Sequence, residues 1–206
     1  MARHILFGGS FDPIHIGHLI VARAAMEKCG AAGVLFVPAR ISPHKMHRPI
    51  TAAHHRVNMI ALAIKPEPAF ALSKVEINRA GPSYTWDTLI ALEKAQPNHQ
   101  FVLLLGWDQL ARLHTWHRVD ELLNRVEVAV LPRQEHGKGK TSRPAGMSAG
   151  IWRKVVGAVI ETPRIDISST VIRNRVRQGL SIEYLVPEAV GRYIIRHRLY
   201  RQKLQP

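Results

Sequence analysis

The residues best equipped for chemistry sit at the two ends of the chain. Near the start, His15 and His18 stand three apart in the string Ile5-Leu6-Phe7-Gly8-Gly9-Ser10-Phe11-Asp12-Pro13-Ile14-His15-Ile16-Gly17-His18-Leu19. That spacing puts both imidazoles on one face of a helix. Gly8 and Gly9 suit a tight turn or a close approach of backbone to ligand, and Gly17 is expected to leave a ligand room between the histidines. Near the far end comes Ile167-Ser168-Ser169-Thr170-Val171-Ile172-Arg173, in which hydroxyls and a helix start precede a guanidinium one turn in. Between the two stretches, Pro43-His44-Lys45 puts an ammonium on a loop. Free N–H groups at helix starts, imidazoles, a lysine and an arginine are groups that hold phosphate oxygens. Each has a bland reading on its own: a turn with solvated histidines, an N-cap, a solvated lysine.

The elements around these residues must bring them together. An apolar run ends at Phe7 and reads as a buried strand. The glycine turn follows, then a helix through Leu19, Ala22, Ala25 and Met26 that stops at Gly30. Residues 34–37 are a second continuous apolar strand. Thr51 is expected to cap a helix over 52–64 with Val57, Ile60, Ala61 and Ile64 inward. Residues 69–72 and 75–77 are short strand candidates. A helix runs from Ser83-Tyr84-Thr85 to about Lys94, and residues 100–105 form the clearest central strand, ending in Gly106-Trp107-Asp108. Residues 110–113 read as a helical turn. A helix through Val119, Leu122 and Leu123 leads to a strand over 126–131. A basic loop over 133–150 and a last strand over 165–167 follow. Helices open at Ser168 and at Pro187.

Strands alternating with helices predict an α/β fold: a Rossmann-like open parallel sheet with helices on both faces and a small C-terminal helical part, 165–206, within a single domain, 1–206. Ligands of such sheets bind beyond the strand carboxyl ends, where strand order reverses. The glycine turn after the first strand and Gly106-Trp107-Asp108 both belong to that edge.

The chain of 206 residues carries a formal charge of +14, which favours anionic ligands. Aromatic residues make up only 6% of it, and no stacked platform of the kind that binds single strands is evident. Nothing reads as a signal peptide or a membrane span. The lone Cys29 cannot make an intrachain disulfide, so a cytoplasmic protein is expected.

Taken whole, Gly-x-Phe-x-Pro-x-His-x-Gly-His-Leu and Ile-Ser-Ser-Thr-x-Ile-Arg resemble the two signatures of the HxGH nucleotidylyltransferase superfamily. Pro43-His44-Lys45, Ser83-Tyr84-Thr85-x-Asp87-Thr88-Leu89, Gly106-x-Asp108-x-Leu110 and His114-Thr115-Trp116 occur in order between them. Together they are similar to the bacterial nicotinate-nucleotide adenylyltransferase family, over nearly the whole chain. The resemblance implies adenylyl transfer from ATP to nicotinate mononucleotide, giving deamido-NAD and pyrophosphate, in NAD biosynthesis.

It also implies roles. His15, His18, Lys45 and Arg173 would be catalytic. Gly8, Gly9, Ser10, Phe11, His15, His18, Gly106, Asp108, Ile167, Ser168, Ser169 and Arg173 would hold ATP, with Asp108 at a ribose. Ser10, Lys45, Tyr84, Thr85, Trp116 and His117 would hold the mononucleotide: Thr85 at the pyridine carboxylate, Trp116 on the ring, and the N–H after the tryptophan at the carboxylate. Mg2+ would arrive on the ATP phosphates with few protein ligands, so no metal-binding residue is assigned. The nucleophile would be a phosphate oxygen, so no general base is required. Trp107 is bulkier than the family pattern and is expected either to crowd the crevice or to pack behind it. A monomer or homodimer without nucleic-acid or membrane partners is expected.

Other readings remain. The acceptor could be nicotinamide mononucleotide, alone or in addition. Phosphopantetheine is a poorer acceptor, since the Tyr-Thr and Thr-Trp motifs have no place in its enzymes. A basic nucleic-acid-binding module would explain the charge but not the two phosphate motifs. Zinc at His15 and His18, His44 and His47, or His54 and His55 lacks a persuasive third ligand.

Overall fold

The computed structural model describes residues 1–43, 50–132 and 142–201. Its centre is a five-stranded parallel sheet in the order β3-β2-β1-β4-β5. The strands are β1 (Ala2–Gly9), β2 (Gly33–Pro38), β3 (Phe70–Leu72), β4 (His99–Gly106) and β5 (Glu127–Leu131). β1 lies between β2 and β4, with Leu6 level with Leu35 on one side and Leu103 on the other.

Side chains alternate across the sheet, so each strand feeds two cores. Ile5, Val34, Phe36, Val102, Leu104 and Ala129 face one. Leu6, Leu35, Val37, Leu103, Leu105 and Val130 face the other. On the first face pack α1 (Ile16–Lys28) and α2 (Ala53–Ile64), followed by α8 (Ser169–Arg177) and α9 (Glu188–Arg196). On the second pack α4 (Thr85–Ala95), α6 (Val119–Arg125) and α7 (Ala149–Gly157). Two single-turn helices complete the fold: α3 (Val75–Asn78), in contact with β2 and α4, and α5 (Trp107–Leu110), directly after β4. Ile172, Ile182, Val190 and Ile194 are buried in the same core as β1 and β2, so the C-terminal helices are part of the sheet's packing.

Four local expectations are corrected. Residues 75–77 form the helical turn α3, not a strand. Its middle residue, Glu76, is buried and bonded to α4, which an edge strand could not arrange. Residues 165–167 join no ladder. The contact beyond β5 is an isolated bridge between Val130 and Val159, after which the chain leaves the sheet. The expected basic loop ends two residues early: Ala149 and Gly150 already begin α7, capped by the Ser148 hydroxyl, which accepts from the Ile151 N–H. In α2, Met59 and Ala63 point inward with Val57, Ile60 and Ile64, while Ala61 is exposed.

The strand order reverses direction between β1 and β4, so a crevice opens where those strands end, at Gly9 and Gly106.

Candidate active site

The turn after β1 is built around Phe11. Its backbone is left-handed, φ 47°, and its ring is buried. A Cβ on Gly9 would stand 3.0 Å from that ring, so any larger residue there would press on the buried phenyl group. Phe7, Phe36 and His18 surround the ring. Gly8, by contrast, faces open space at the crevice.

Asp12 follows, buried, with its carboxylate fully engaged. Oδ1 accepts from the Tyr200 hydroxyl at 2.7 Å, and Oδ2 accepts from the Thr51 N–H at 3.3 Å. Thr51 therefore serves this turn and not α2, whose N-cap is Ala52. Arg56, completely buried in α2, donates from Nη1 to the Ser10 carbonyl and from Nε to the Thr51 carbonyl. Burial pulls its pKa below the usual guanidinium value, opposed by the nearby Asp12 and Tyr200. It stays charged at neutral pH.

His15 occupies the N-cap of α1 and His18 its first turn. The two rings lie 3.6 Å apart, centroid to centroid. His15 is buried, and its Nδ1 has no hydrogen-bond partner among the described residues. Burial pushes its pKa down to about 4, so the imidazole is neutral at physiological pH. Gly17 does not open a path between the histidines. A Cβ there would meet Ile165 Cγ2 at 2.9 Å and His15 Nδ1 at 3.0 Å, so the glycine lets the chain over 162–167 close against α1.

That chain leads into α8. Ser168 caps the helix, its hydroxyl accepting from the Val171 N–H. Ser169 donates its hydroxyl to the Pro13 carbonyl at 2.9 Å, and Arg173 donates from Nη1 to the Asp12 carbonyl at 2.7 Å. Both bonds clamp the start of α8 to the turn after β1. The 2.9 Å contact uses the Ser169 hydroxyl as a donor to protein; its oxygen can still accept, but it has no proton left for a phosphate. Arg173 retains further N–H groups.

These parts line a cavity of about 930 Å³. All twelve residues assigned to ATP line it: Gly8, Gly9, Ser10, Phe11, His15 and His18 from the turn and α1, Gly106 and Asp108 from the end of β4, and Ile167, Ser168, Ser169 and Arg173 from α8. Trp107 does both things considered for it: it lines this cavity and packs against the second core.

A second cavity of about 530 Å³ adjoins the first. Ser10, Tyr84, Thr85, Trp116 and His117 line it. Gly8, Gly9, Ser10 and Asp108 are common to both cavities, so the two meet at the ends of β1 and β4. The Tyr84 and His117 rings meet at a tilt of 37° with centroids 4.7 Å apart, tying the start of α4 to the loop before α6. Lys45, together with His44 and His47, lies outside the described residues.

Sequence reasoning missed the supports. Glu76 lines the second cavity, buried, and accepts from the Thr88 hydroxyl at 2.7 Å. Burial pushes its carboxyl upward, opposed by hydrogen bonds from Thr88 and Ser83 and by Arg79. Arg79 Nη2 donates to Thr88 Oγ1 and to the Tyr84 carbonyl. Asp12, Arg56 and Tyr200 were likewise not assigned. Among the described residues no group of three or more His, Cys, Asp or Glu could hold a metal ion. No helix among them is long and apolar enough to cross a membrane.

The arrangement offers donors around a large cavity of mixed lining and an aromatic, hydroxyl-lined second cavity beside it. That suits two nucleotides meeting at their phosphates. Comparison with known proteins agrees. A family model described as cytidylyltransferase-like matches residues 6–175. A Thermomicrobium roseum protein named a probable nicotinate-nucleotide adenylyltransferase is 41% identical over 98% of this chain and 92% of its own. One of the same name from Symbiobacterium thermophilum is 38% identical over 97% and 96%. The nicotinic acid mononucleotide adenylyltransferase of Plasmodium falciparum, solved with NaAD, superposes with a TM-score of 0.78 over all of both chains at 22% identity, a likeness of fold. With full-length relatives at this identity and the sheet, turn and α8 clamp in place, the chain belongs to the nicotinate-nucleotide adenylyltransferase family.

Proposed function

We propose that this protein transfers the adenylyl group of ATP to nicotinate mononucleotide, releasing pyrophosphate and forming deamido-NAD for NAD biosynthesis. One observation carries the reading. Two cavities join at Gly8, Gly9 and Ser10, one walled by His15, His18 and the start of α8, the other by Thr85 and Trp116. A triphosphate in the first and a mononucleotide in the second bring the acceptor phosphate and the α-phosphorus together at the seam.

The acceptor phosphate is anionic near neutral pH and attacks in line, with pyrophosphate leaving. No general base is needed, and the protein's work is positioning and charge neutralisation. His18 and His15 serve the α- and β-phosphates, and Arg173, with Lys45 by family resemblance, favours the departing pyrophosphate. ATP enters as its magnesium complex. Of the carboxylates lining the first cavity, Asp12 is engaged by Tyr200 and Thr51 and Asp108 is exposed, which fits a cation held by phosphate oxygens and water. Asp108, which lines both cavities, serves a ribose in this reading. Thr85, Trp116 and the N–H of His117 receive the pyridine carboxylate and ring, with Tyr84 bracing His117. The chain over 1–206 acts as one domain, since its C-terminal helices share the sheet's core. Its one cysteine, Cys29, can form no disulfide within the chain, which fits a reducing cytoplasm.

Pyrophosphate release from MgATP, measured in parallel with nicotinate mononucleotide, nicotinamide mononucleotide and phosphopantetheine, tests the proposal. Strong preference for the nicotinate form is expected. Equal use of both mononucleotides would keep the chemistry and remove carboxylate reading from the second cavity. No release with any acceptor would overturn the assignment.

A further inference from the structure

The floor of the first cavity is tied to the far end of the chain. The Tyr200 hydroxyl donates to Asp12 Oδ1 at 2.7 Å across 188 residues of sequence. Tyr200 follows α9 with a left-handed backbone, φ 64°, which turns its ring back toward the turn after β1. The bond is half-buried, and Thr51, which holds the other carboxylate oxygen, also bonds the phenol through its side chain. Asp12 in turn offers its main-chain carbonyl to Arg173 Nη1 at 2.7 Å. One residue thus carries the phenol on its carboxylate and the guanidinium on its carbonyl. Arg173 faces the cavity, whereas Tyr200 does not line it.

We propose that Tyr200 is a positioning residue for the phosphate site: by holding the Asp12 carboxylate it fixes the carbonyl on which Arg173 is seated, and so presents the guanidinium to phosphate in one pose. This rests on the first cavity being the ATP site. Without the phenol, the Asp12 carboxylate keeps only the long bond from Thr51, and the turn that carries its main-chain carbonyl loses its tether to the chain after α9. The phenol suits this work because burial, and then the Asp12 charge, push its pKa above the usual tyrosine value, so it remains a donor throughout the working pH range.

The test compares the full-length protein with Tyr200→Phe, Arg173→Lys, the double variant, and Tyr193→Phe. Tyr193 lies on α9, where its hydroxyl bonds His55 and Asn58 away from both cavities, and so controls for loosening of the C-terminal packing. Steady-state constants for MgATP and for nicotinate mononucleotide are measured well below each variant's melting temperature. Tyr200→Phe is expected to lose about tenfold in kcat/KM for ATP, with KM for the mononucleotide within twofold of the parent. Tyr193→Phe is expected to change neither. In the Arg173→Lys background, Tyr200→Phe is expected to add little, because the two act through one contact. Parental kinetics in Tyr200→Phe beside a damaged Arg173→Lys would overturn the proposal while leaving the ATP site in place. Fully additive losses would overturn it too. If neither variant affected ATP, the assignment of the first cavity would itself fall.

Discussion

The Nδ1 of His18 accepts a hydrogen bond of 3.2 Å from the backbone N–H of His15. An atom that accepts from an amide carries no proton, so neutral His18 holds its proton on Nε2. The first turn of α1 thereby selects the tautomer of one histidine through the main chain of the other. Nε2–H is then the ring's donor, the atom through which His18 would meet a phosphate.

His18→Ala should therefore lose at least a hundredfold in turnover, as when one transition-state donor worth about two to four kcal/mol is removed. Far-UV circular dichroism and the melting temperature should stay close to the parent. His18→Gln, whose amide nitrogen can stand near the Nε2 position, should retain more turnover than His18→Asn. Unchanged turnover in the alanine variant would remove His18 from the transition state.

His15 gives a pH signature. Its pKa is about 4 in the folded protein against 6.5 in an exposed imidazole. Between those values the unfolded chain holds a proton that the native chain lacks. Stability should then fall as pH drops from 6.5 toward 4 and level off below, a loss of order 3 kcal/mol at full extent. Urea unfolding of the parent and of His15→Asn across this range measures it. The variant should lack this part of the slope, and parallel slopes would show that other groups cause it. Bound phosphates favour imidazolium, so saturating ATP should bring the folded pKa closer to 6.5 and make the descent in the parent smaller.

The central sheet was legible because parallel strands buried on both faces read as continuous apolar runs, as in β2 and β4. The twelve residues expected at ATP lie on one cavity because a motif carries local geometry with it. What escaped notice depends on contacts that no local rule reports. Val75 and Ile77 are β-branched and suggest a strand, yet the buried bond between Glu76 and Thr88 settles the segment as a turn of helix. The apolar spacing of Ile151, Trp152 and Val155 behind Ser148 did signal α7, but the basic loop before it dominated the reading. The bonds from Tyr200 to Asp12 and from Arg56 to Ser10 span 188 and 46 residues, and neither partner belongs to a periodic pattern that would announce the other.

Gly17 gives a prediction opposite to the one that helix propensity makes. Alanine in place of a helical glycine normally stabilises by about 1 kcal/mol. Here its Cβ would press on Ile165 Cγ2 and on the His15 ring, both within 3.0 Å. Gly17→Ala should cost about 1–3 kcal/mol in chemical denaturation and lower turnover, because the His15 ring must move. Trimming the other wall with Ile165→Ala should restore part of the turnover. A stabilised Gly17→Ala enzyme of full activity would show that this wall yields freely.

The second cavity can be tested from behind. Thr88 does not line it as an isolated hydroxyl: it donates to buried Glu76, receives Arg79, and through Arg79 shares the Tyr84 carbonyl that precedes Thr85. Thr88→Val keeps the side chain's shape and removes the hydroxyl. Glu76 then loses a donor in a buried place, which should cost about 1–3 kcal/mol and push its carboxyl pKa higher still. The consequence should be selective. Tyr84 and Thr85, at the start of α4, line the second cavity, whereas the first is walled by α1 and α8. The KM for nicotinate mononucleotide should therefore rise several-fold while that for ATP stays within twofold, both measured at a temperature where the variant is folded. Glu76→Gln, which keeps an acceptor for Thr88, should sit between the parent and Thr88→Val. Equal changes in both constants would mean that the Glu76–Thr88 bond supports the fold as a whole and has no particular hold on the pyridine side.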